Sequence, residues 1–221
     1  MLIGEIDAYR EHDRGPGCRE RLALAGVGPY TETFTDGDAN WLNGSFNPPT
    51  FNPAGYISAS ADVSTAGEFG LTLFRGHDDA DASGDAFVGD YLTSGLDTVT
   101  FDIRHDSEVA LSFALRVATS GNSPAFVLLS PTPVAGGEWA TLTFSLDPDS
   151  PFYIPEGPPG FGFFAGVMGS VGNLQVLVLP PAGLPTGSFV SFDLDNVSTT
   201  PAPGTLAPVF AGMAIFGRRR R

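Results

Sequence analysis

Apolar and polar residues alternate along four separate segments of the chain, residues 99–104, 109–117, 140–146 and 190–195. Successive side chains of a β-strand point to opposite faces, so this period of two predicts strands that pack on a core from one side. The residues predicted to lie inside are Phe101, Ile103, Leu111, Phe113, Leu115, Leu142, Phe144 and Phe192.

Shorter apolar runs at 69–74, 125–129 and 174–179 predict further strands. The 28 Gly and 19 Pro recur between the runs, as in a chain whose strands are joined by turns. No segment of 31–198 shows a sustained helical period. We therefore predict one all-β domain over 31–198, an antiparallel β-sandwich of jelly-roll-like form with about eight to ten strands.

Charge and cysteine content exclude several classes of function. The chain carries 25 acidic and 11 basic residues, for a net charge of −14, and its only basic residues between 31 and 204 are Arg75, Arg104 and Arg116. Such a body repels phosphate backbones, so no nucleic-acid partner is expected, whereas an acidic surface attracts cations or simply keeps the protein hydrated. The single Cys18 excludes an internal disulfide framework, and without lysine there is no Walker-type phosphate loop.

Motifs of known catalytic chemistry are missing from the sequence. The three histidines are His12, His77 and His105, and no Gly-x-Ser-x-Gly or His-Glu-x-x-His pattern occurs. Paired carboxylates are frequent, as expected in any acidic chain. The sequence therefore predicts a protein that is not an enzyme.

An acidic stretch from Asp79 to Asp90 has the spacing of a calcium-binding loop. Asp79, Asp81 and Ser83 occupy its first, third and fifth positions, Gly84 the sixth and Asp90 the twelfth. Oxygen ligands at this spacing can surround one Ca²⁺ ion. The alternative is a solvated turn between strands.

Two segments resemble the ends of carbohydrate-binding-module-like jelly rolls: 33–41 (TFTDGDANW) and 192–197 (FDLDNV). The resemblance implies that the first and last strands are neighbours. It also implies a structural calcium held by Asp195 together with Glu32 or Asp36.

Glycan binding requires exposed aromatic rings that stack on sugars beside polar groups. Trp139 falls on the polar side of the 140–146 alternation and is the first candidate, and the alternative is a half-buried ring at a sheet edge. Tyr91 and Tyr153 are further candidates, whereas Trp41 is expected to fill the core.

The two ends of the sequence differ from the predicted sandwich. Residues 1–20 are polar and charged without an apolar signal-peptide core, and the Ala-Leu-Ala at 23–25 of the 1–30 leader resembles the end of a cleaved signal peptide. This segment is therefore either the remnant of an altered start or an ordinary disordered extension. Residues 199–204 predict a proline-rich linker, and 205–217 predict a short apolar helix without charge.

The C-terminal segment resembles the PEP-CTERM sorting signal of exported bacterial proteins. The residues that carry this resemblance are Pro201, Ala202, Pro203, Gly204, Arg218, Arg219, Arg220 and Arg221, with Ala202 where the common motif has Glu. The resemblance implies transient membrane insertion, an exosortase-like membrane protease as partner, and delivery to the cell envelope or extracellular matrix.

Together these features predict an exported, surface-sorted, non-catalytic β-sandwich that binds glycan or matrix, with a polysaccharide as partner. A purely structural envelope protein is the first alternative, and a glycoside hydrolase or lyase on a sandwich fold is the second. Exposed aromatic residues on one sheet would favour binding, and a cleft of convergent carboxylates would favour the enzyme.

Overall fold

The computed structural model describes residues 27–180 and 184–201, which form twelve β-strands and two short α-helices. The strands are β1 (Tyr30–Glu32), β2 (Leu42–Asn43), β3 (Thr50–Asn52), β4 (Tyr56–Asp62), β5 (Leu71–His77), β6 (Leu96–His105), β7 (Phe113–Thr119), β8 (Ala125–Leu129), β9 (Ala140–Ser145), β10 (Tyr153–Pro155), β11 (Val171–Val178) and β12 (Phe189–Pro201). The helices are α1 (Tyr91–Ser94) and α2 (Phe161–Met168).

The strands form two antiparallel sheets. The first sheet has the order β3-β4-β12-β6-β9, with β1 paired to the later part of β12. The second sheet has the order β10-β8-β7-β11-β5-β2. The fold is therefore the predicted antiparallel β-sandwich of jelly-roll-like form, in which consecutive strands often belong to different sheets.

The core lies between the two sheets and confirms the predicted inward set. Phe101, Ile103 and Phe192 of the first sheet and Phe113 of the second are fully shielded from solvent. The rings of Phe113 and Phe192 meet edge to face across the sandwich, with centroids 6.2 Å apart. Leu111, Leu115, Leu142 and Phe144 are buried in the same cluster.

Helix α2 was not predicted from the sequence. Its segment, Phe-Gly-Phe-Phe-Ala-Gly-Val-Met, contains two glycines that lower helix propensity, so its apolar residues carried no clear helical signal. In the fold it packs Phe164, Val167 and Met168 into the core. Tertiary burial therefore stabilises a helix that local preference does not favour.

The ends of the domain differ from the predicted bounds. β1 begins at Tyr30, inside the predicted leader, and pairs with β12, which confirms that the first and last strands are neighbours. β12 continues to Pro201, so residues 199–201 of the predicted linker belong to a strand, and Pro201 lies at its end, where a missing N–H is tolerated. Residues 1–26 and 202–221, with most of the predicted leader and sorting segment, lie outside the described residues.

Within the described ranges, no helix combines the length and the apolar character needed to cross a bilayer.

Candidate functional site

The outer face of the first sheet is polar and open to solvent. Because every second residue of its strands is buried, the residues between them point outward. These outward residues are mainly Ser, Thr and Asp, and they include Ser58 and Ser60 of β4, Thr98, Thr100 and Asp102 of β6, Thr141, Thr143 and Ser145 of β9, and Ser191 and Asp193 of β12.

Trp139 lies at one edge of this face, on the polar side of the 140–146 alternation and at a sheet edge, and its role in ligand binding stays a prediction. Ile103 pairs with Ala140, which places Trp139 beside Arg104 on the neighbouring strand. The Arg104 Cζ lies 4.8 Å from the Trp139 ring centroid and 5.3 Å from the Tyr56 centroid. The Tyr56 and Trp139 rings meet edge to face with centroids 5.6 Å apart, and Trp139 remains 40% exposed. We call Tyr56, Arg104 and Trp139 the aromatic platform.

Polar neighbours hold the aromatic platform in place. Asp193 accepts hydrogen bonds from Arg104 Nε at 2.8 Å and Nη2 at 2.5 Å, and its Oδ1 accepts from the Ser58 hydroxyl at 2.6 Å. The bond to Asp193 is the main cause that raises the pKa of Arg104 above its usual value. Asn52 Nδ2 donates to the Tyr56 hydroxyl at 2.6 Å. Asp193 thus holds the guanidinium, which packs against both rings while Trp139 stays partly exposed.

A hollow of about 370 Å³ adjoins Trp139 on the side of β9 and the loop before it. Its lining includes Thr132, Glu138, Trp139 and Thr141, so a carboxylate and hydroxyls surround the indole. Rings flanked by such donors and acceptors can stack on a sugar while the neighbours bond its hydroxyls.

Asp195 and Glu32, one of the two pairs implied for calcium, lie in the same region of the first sheet. The Asp195 side chain faces Asp102 directly across β12 and β6. Burial is the first cause that raises the pKa of Asp195, and repulsion from Asp102 and Glu32 adds to it. Glu32 and Asp36 both line a hollow of about 350 Å³ next to β1. Carboxylate oxygens with uncompensated negative charge fit a Ca²⁺ ion chemically.

Hydrogen bonds within the protein occupy part of this acidic set. Asp102 accepts from the Thr141 hydroxyl at 2.5 Å and from Asn196 Nδ2 at 2.8 Å. Glu32 accepts from the Phe34 N–H at 2.9 Å. In the described residues, the set whose potential ligand atoms all lie within 4.8 Å of one another is instead His77, Asp78 and Asp79.

The acidic stretch 79–90 has local structural roles. His77 Nδ1 accepts the Asp79 N–H at 3.0 Å, and Asp81 adopts a left-handed conformation with φ 57°. Ser83 Oγ accepts from the Trp41 indole at 2.9 Å, and Asp90 caps α1 by accepting the Thr93 N–H at 2.9 Å. Two 3₁₀ turns, Asp78–Ala80 and Ala82–Asp85, form its first half, and calcium binding there stays a prediction.

Tyr91 was wrongly predicted to face a ligand. It is fully buried, its hydroxyl donates to the Phe87 carbonyl at 2.9 Å, and burial raises its pKa. Tyr153 is half-buried and packs against the rings of Phe126 and Phe164 at 5.2 and 5.9 Å. Both tyrosines therefore contribute to packing.

The partners of Trp139 were not predicted. The polar side of the 99–104 alternation contains Arg104, but its position against Trp139 depends on strand register. Tyr56 lies in a strand of small Ala and Ser residues that showed little alternation.

Comparisons with known proteins relate the chain to β-sandwich structures. No family model and no curated protein matches. The L4b domain of human laminin alpha-2 is similar at 10% identity and a TM-score of 0.45, over 80% of this chain and 99% of that domain. The CBM22-1–GH10 modules of Clostridium thermocellum xylanase 10B, crystallised with xylohexaose, are similar at 14% identity and a TM-score of 0.40, over 82% of this chain and 29% of that one. The C-terminal family 22 carbohydrate-binding module of the same xylanase has 11% identity and a TM-score of 0.37, over 81% of this chain and 97% of the module. Likeness at this level concerns strand arrangement, so function rests on the residues themselves.

Proposed function

We propose that the protein is a non-catalytic binding module whose aromatic platform contacts the sugar rings of a neutral glycan. The observation that carries this proposal is the exposed Trp139 ring, held on Arg104 at 4.8 Å in an otherwise polar sheet face. A large aromatic side chain exposed to water gains free energy when a partner covers it. Its fixed neighbours reduce the entropy lost on binding.

The polar residues around the platform suit a sugar better than an apolar ligand. Thr141 and Glu138 lie beside the indole, and Asn52 and Ser58 lie beyond Tyr56. A sugar presents hydroxyls in the plane of its ring and C–H groups on its faces, so one residue can stack on Trp139 and bond these neighbours. A wider polysaccharide can continue over the Ser and Thr rows of the sheet.

The test is binding of a panel of neutral oligosaccharides by calorimetry, with Trp139→Ala as the variant. We expect an affinity loss of at least about tenfold, or about 1.4 kcal/mol, because truncating a central aromatic contact removes a dominant part of binding. Phe152→Ala is the matched control, since Phe152 is 39% exposed but lies outside the platform. Equal affinity in wild type and Trp139→Ala would reject the proposal.

The same experiment separates the alternatives. A purely structural protein would bind none of the oligosaccharides in either form. A glycoside hydrolase would release shorter sugars during incubation, and Asp195→Asn would stop the release, since a carboxyl group with a raised pKa beside a second carboxylate can act as a general acid.

We also propose that the protein is exported and delivered to the envelope or matrix, as the sequence motif at 201–221 suggests. A glycan-binding module is useful where polysaccharide is present, and in this proposal the tail places it there.

A further inference from the structure

The three arginines of the sandwich differ in their partners. Arg104 is bound to Asp193, and Arg116 is bound to Glu156 at 2.8 and 2.7 Å. Arg75 stacks on the Phe46 ring at 4.5 Å, and its Nε and Nη1 are shielded from water with no hydrogen-bond partner among the described residues. Shielding a cation from water without a counter-charge costs free energy. A negatively charged group that paired with Arg75 would therefore be favourable here.

Strand register places Arg75 and Arg116 in one row. Gln175 of β11 is the direct partner of Arg75 in β5 on one side and of Arg116 in β7 on the other. At strand spacings of about 4.8 Å, the two arginine Cα atoms are about 10 Å apart on the outer face of the second sheet. Burial is the first cause that lowers the pKa of Arg75, and repulsion from Arg116 is the second.

A groove of about 460 Å³ runs over this row. We call it the basic groove, and its lining residues are Phe69, Gly70, Thr72, Arg75, Arg116, Asn122, Pro155, Glu156, Gln175 and Leu177. Its charged side chains are two arginines and one glutamate, which leaves a charge of +1 in a chain whose net charge is −14. The groove therefore favours an anionic ligand where the rest of the surface repels one.

The far side of the basic groove is already fixed by internal bonds. Asn122 Oδ1 accepts from Arg116 Nη1 and from Gln175 Nε2, each at 2.6 Å. The Gln175 Oε1 accepts from the Thr72 hydroxyl at 3.3 Å. Arg116 has no unused charge because Glu156 neutralises it, so Arg75 supplies the charge that remains for a ligand.

We propose that the basic groove is a second binding site, which takes a carboxylate-bearing sugar with its carboxylate on Arg75. A carboxylate forms short, strong, charge-assisted hydrogen bonds with a guanidinium, and Nη2 of Arg75 is not among its shielded nitrogens. Phe69, which is 57% exposed and lines the groove, offers apolar surface for the ring of the sugar. The acidic body disfavours densely charged polymers, so the ligand carries carboxylates spaced by neutral residues.

The test uses a tetrasaccharide in which glucuronate alternates with N-acetylglucosamine, against the same tetrasaccharide with its carboxyls reduced to alcohols. We expect wild type to bind the acidic form at least about tenfold more tightly, with an affinity that falls as salt is added. Arg75→Gln removes this preference, while binding of neutral oligosaccharides at the aromatic platform is unchanged. Trp139→Ala shows the opposite pattern, so failure of one site is distinguishable from failure of the other.

Ala110→Asp is the matched control, because it lowers the net charge by the same amount at an exposed position that lines neither the basic groove nor the hollow beside Trp139. It retains the preference for the acidic tetrasaccharide. Because Arg75 lacks hydrogen-bond partners within the described residues, Arg75→Gln is expected to melt no lower than wild type. If it fails to fold, Arg75→Lys, which keeps the charge without the guanidinium, is expected to show an intermediate preference.

Three results would overturn the proposal. The first is equal affinity of wild type for the acidic and reduced tetrasaccharides. The second is an equal loss in Arg75→Gln and Ala110→Asp, which would indicate unspecific attraction. The third is sodium sulfate that binds the groove as tightly as the tetrasaccharide, which would make it a site for an adventitious ion only.

Discussion

The two tryptophans of the chain have opposite environments. Trp41 is fully buried, its indole N–H donates to Ser83, and a Cβ added to Gly76 would lie 2.9 Å from its ring. Gly76 therefore provides the space that this ring needs. Trp139 is 40% exposed and packs against Arg104 and Tyr56, not against the core. Removing Trp41 would damage the fold, whereas removing Trp139 would leave it intact and alter the surface.

Phe113→Ala tests the residue at the centre of the core. Its ring is fully buried and contacts His105 and Phe192 of the opposite sheet, at 5.9 and 6.2 Å. We expect the free energy of unfolding to fall by about 3–5 kcal/mol because the truncation leaves a cavity. Urea denaturation measures the change, and Phe189→Ala, at a position 75% exposed, is the control. A loss below about 1 kcal/mol would contradict this packing.

At the level of elements, β12 organises the first sheet. It pairs with β4 and then β1 on one edge and with β6 on the other. The register shifts between Asp195 and Ser198, and Asn196 has φ 50°. This bulge changes the alternation of the strand, so that Phe192, Leu194, Val197 and Thr199 are all buried. As a result the side chains of Asp195 and Asn196, although consecutive, both lie on the outer face of the sheet next to Asp102.

Asp195→Asn tests the charge repulsion at this bulge. Because burial and neighbouring carboxylates raise the pKa of Asp195, its ionised form destabilises the folded state above that pKa. We expect the variant to be slightly more stable than wild type at pH 7 without calcium, by less than about 1 kcal/mol because the group is partly exposed. The difference disappears as the pH falls below 3.8, where both proteins are neutral at this position.

If Asp195 and Glu32 hold a calcium ion, added calcium makes wild type more stable than Asp195→Asn. Millimolar Ca²⁺ added after chelation is then expected to raise the melting temperature of wild type but not that of Asp195→Asn. Asp149→Asn, an exposed loop carboxylate with the same change of charge, should respond as wild type does. A wild-type melting temperature that is insensitive to calcium would rule out the structural ion.

Alternation predicted the long strands because one face of each is buried, as in β6, β9 and β12. It missed β4, whose Ala and Ser residues give little contrast between faces, and β2 and β3, which are too short for a period. Trp139 could be predicted from its position in the alternation. The contacts with Arg104 and Tyr56, and the row that joins Arg75 to Arg116, could not be predicted because they arise from register between distant strands.

For the whole molecule, the position of the first and last strands relates the aromatic platform to the tail. Tyr30 pairs with Thr199, so β1 begins and β12 ends at the same end of the first sheet. Asp193, which supports the platform, precedes Pro201 by eight residues of β12, or about 25 Å. A module tethered through residues after 201 would therefore present the platform away from its attachment.

The tail prediction concerns processing of an exported form. Residues 205–217 would make a helix of about 20 Å, against a hydrocarbon core of about 30 Å, and Pro208 interrupts it. Such a segment is a poor permanent anchor, while the four arginines after it favour the cytoplasmic side. We expect mature protein to lack the residues after about Gly204, as measured by mass spectrometry of native envelope or matrix fractions. An intact C-terminus at Arg221 in cytoplasmic protein would contradict this.

The most direct test of glycan binding is a ¹⁵N–¹H NMR titration with a neutral oligosaccharide that binds in the panel. It follows the indole N–H signals of the two tryptophans. Trp139 reports on the aromatic platform, and buried Trp41 is an internal control in the same molecule. Binding at the platform predicts that the Trp139 signal shifts in a saturable manner while the Trp41 signal stays in place. A saturable titration that leaves Trp139 unmoved, or a complete absence of binding across the oligosaccharide panel, would contradict the proposed function.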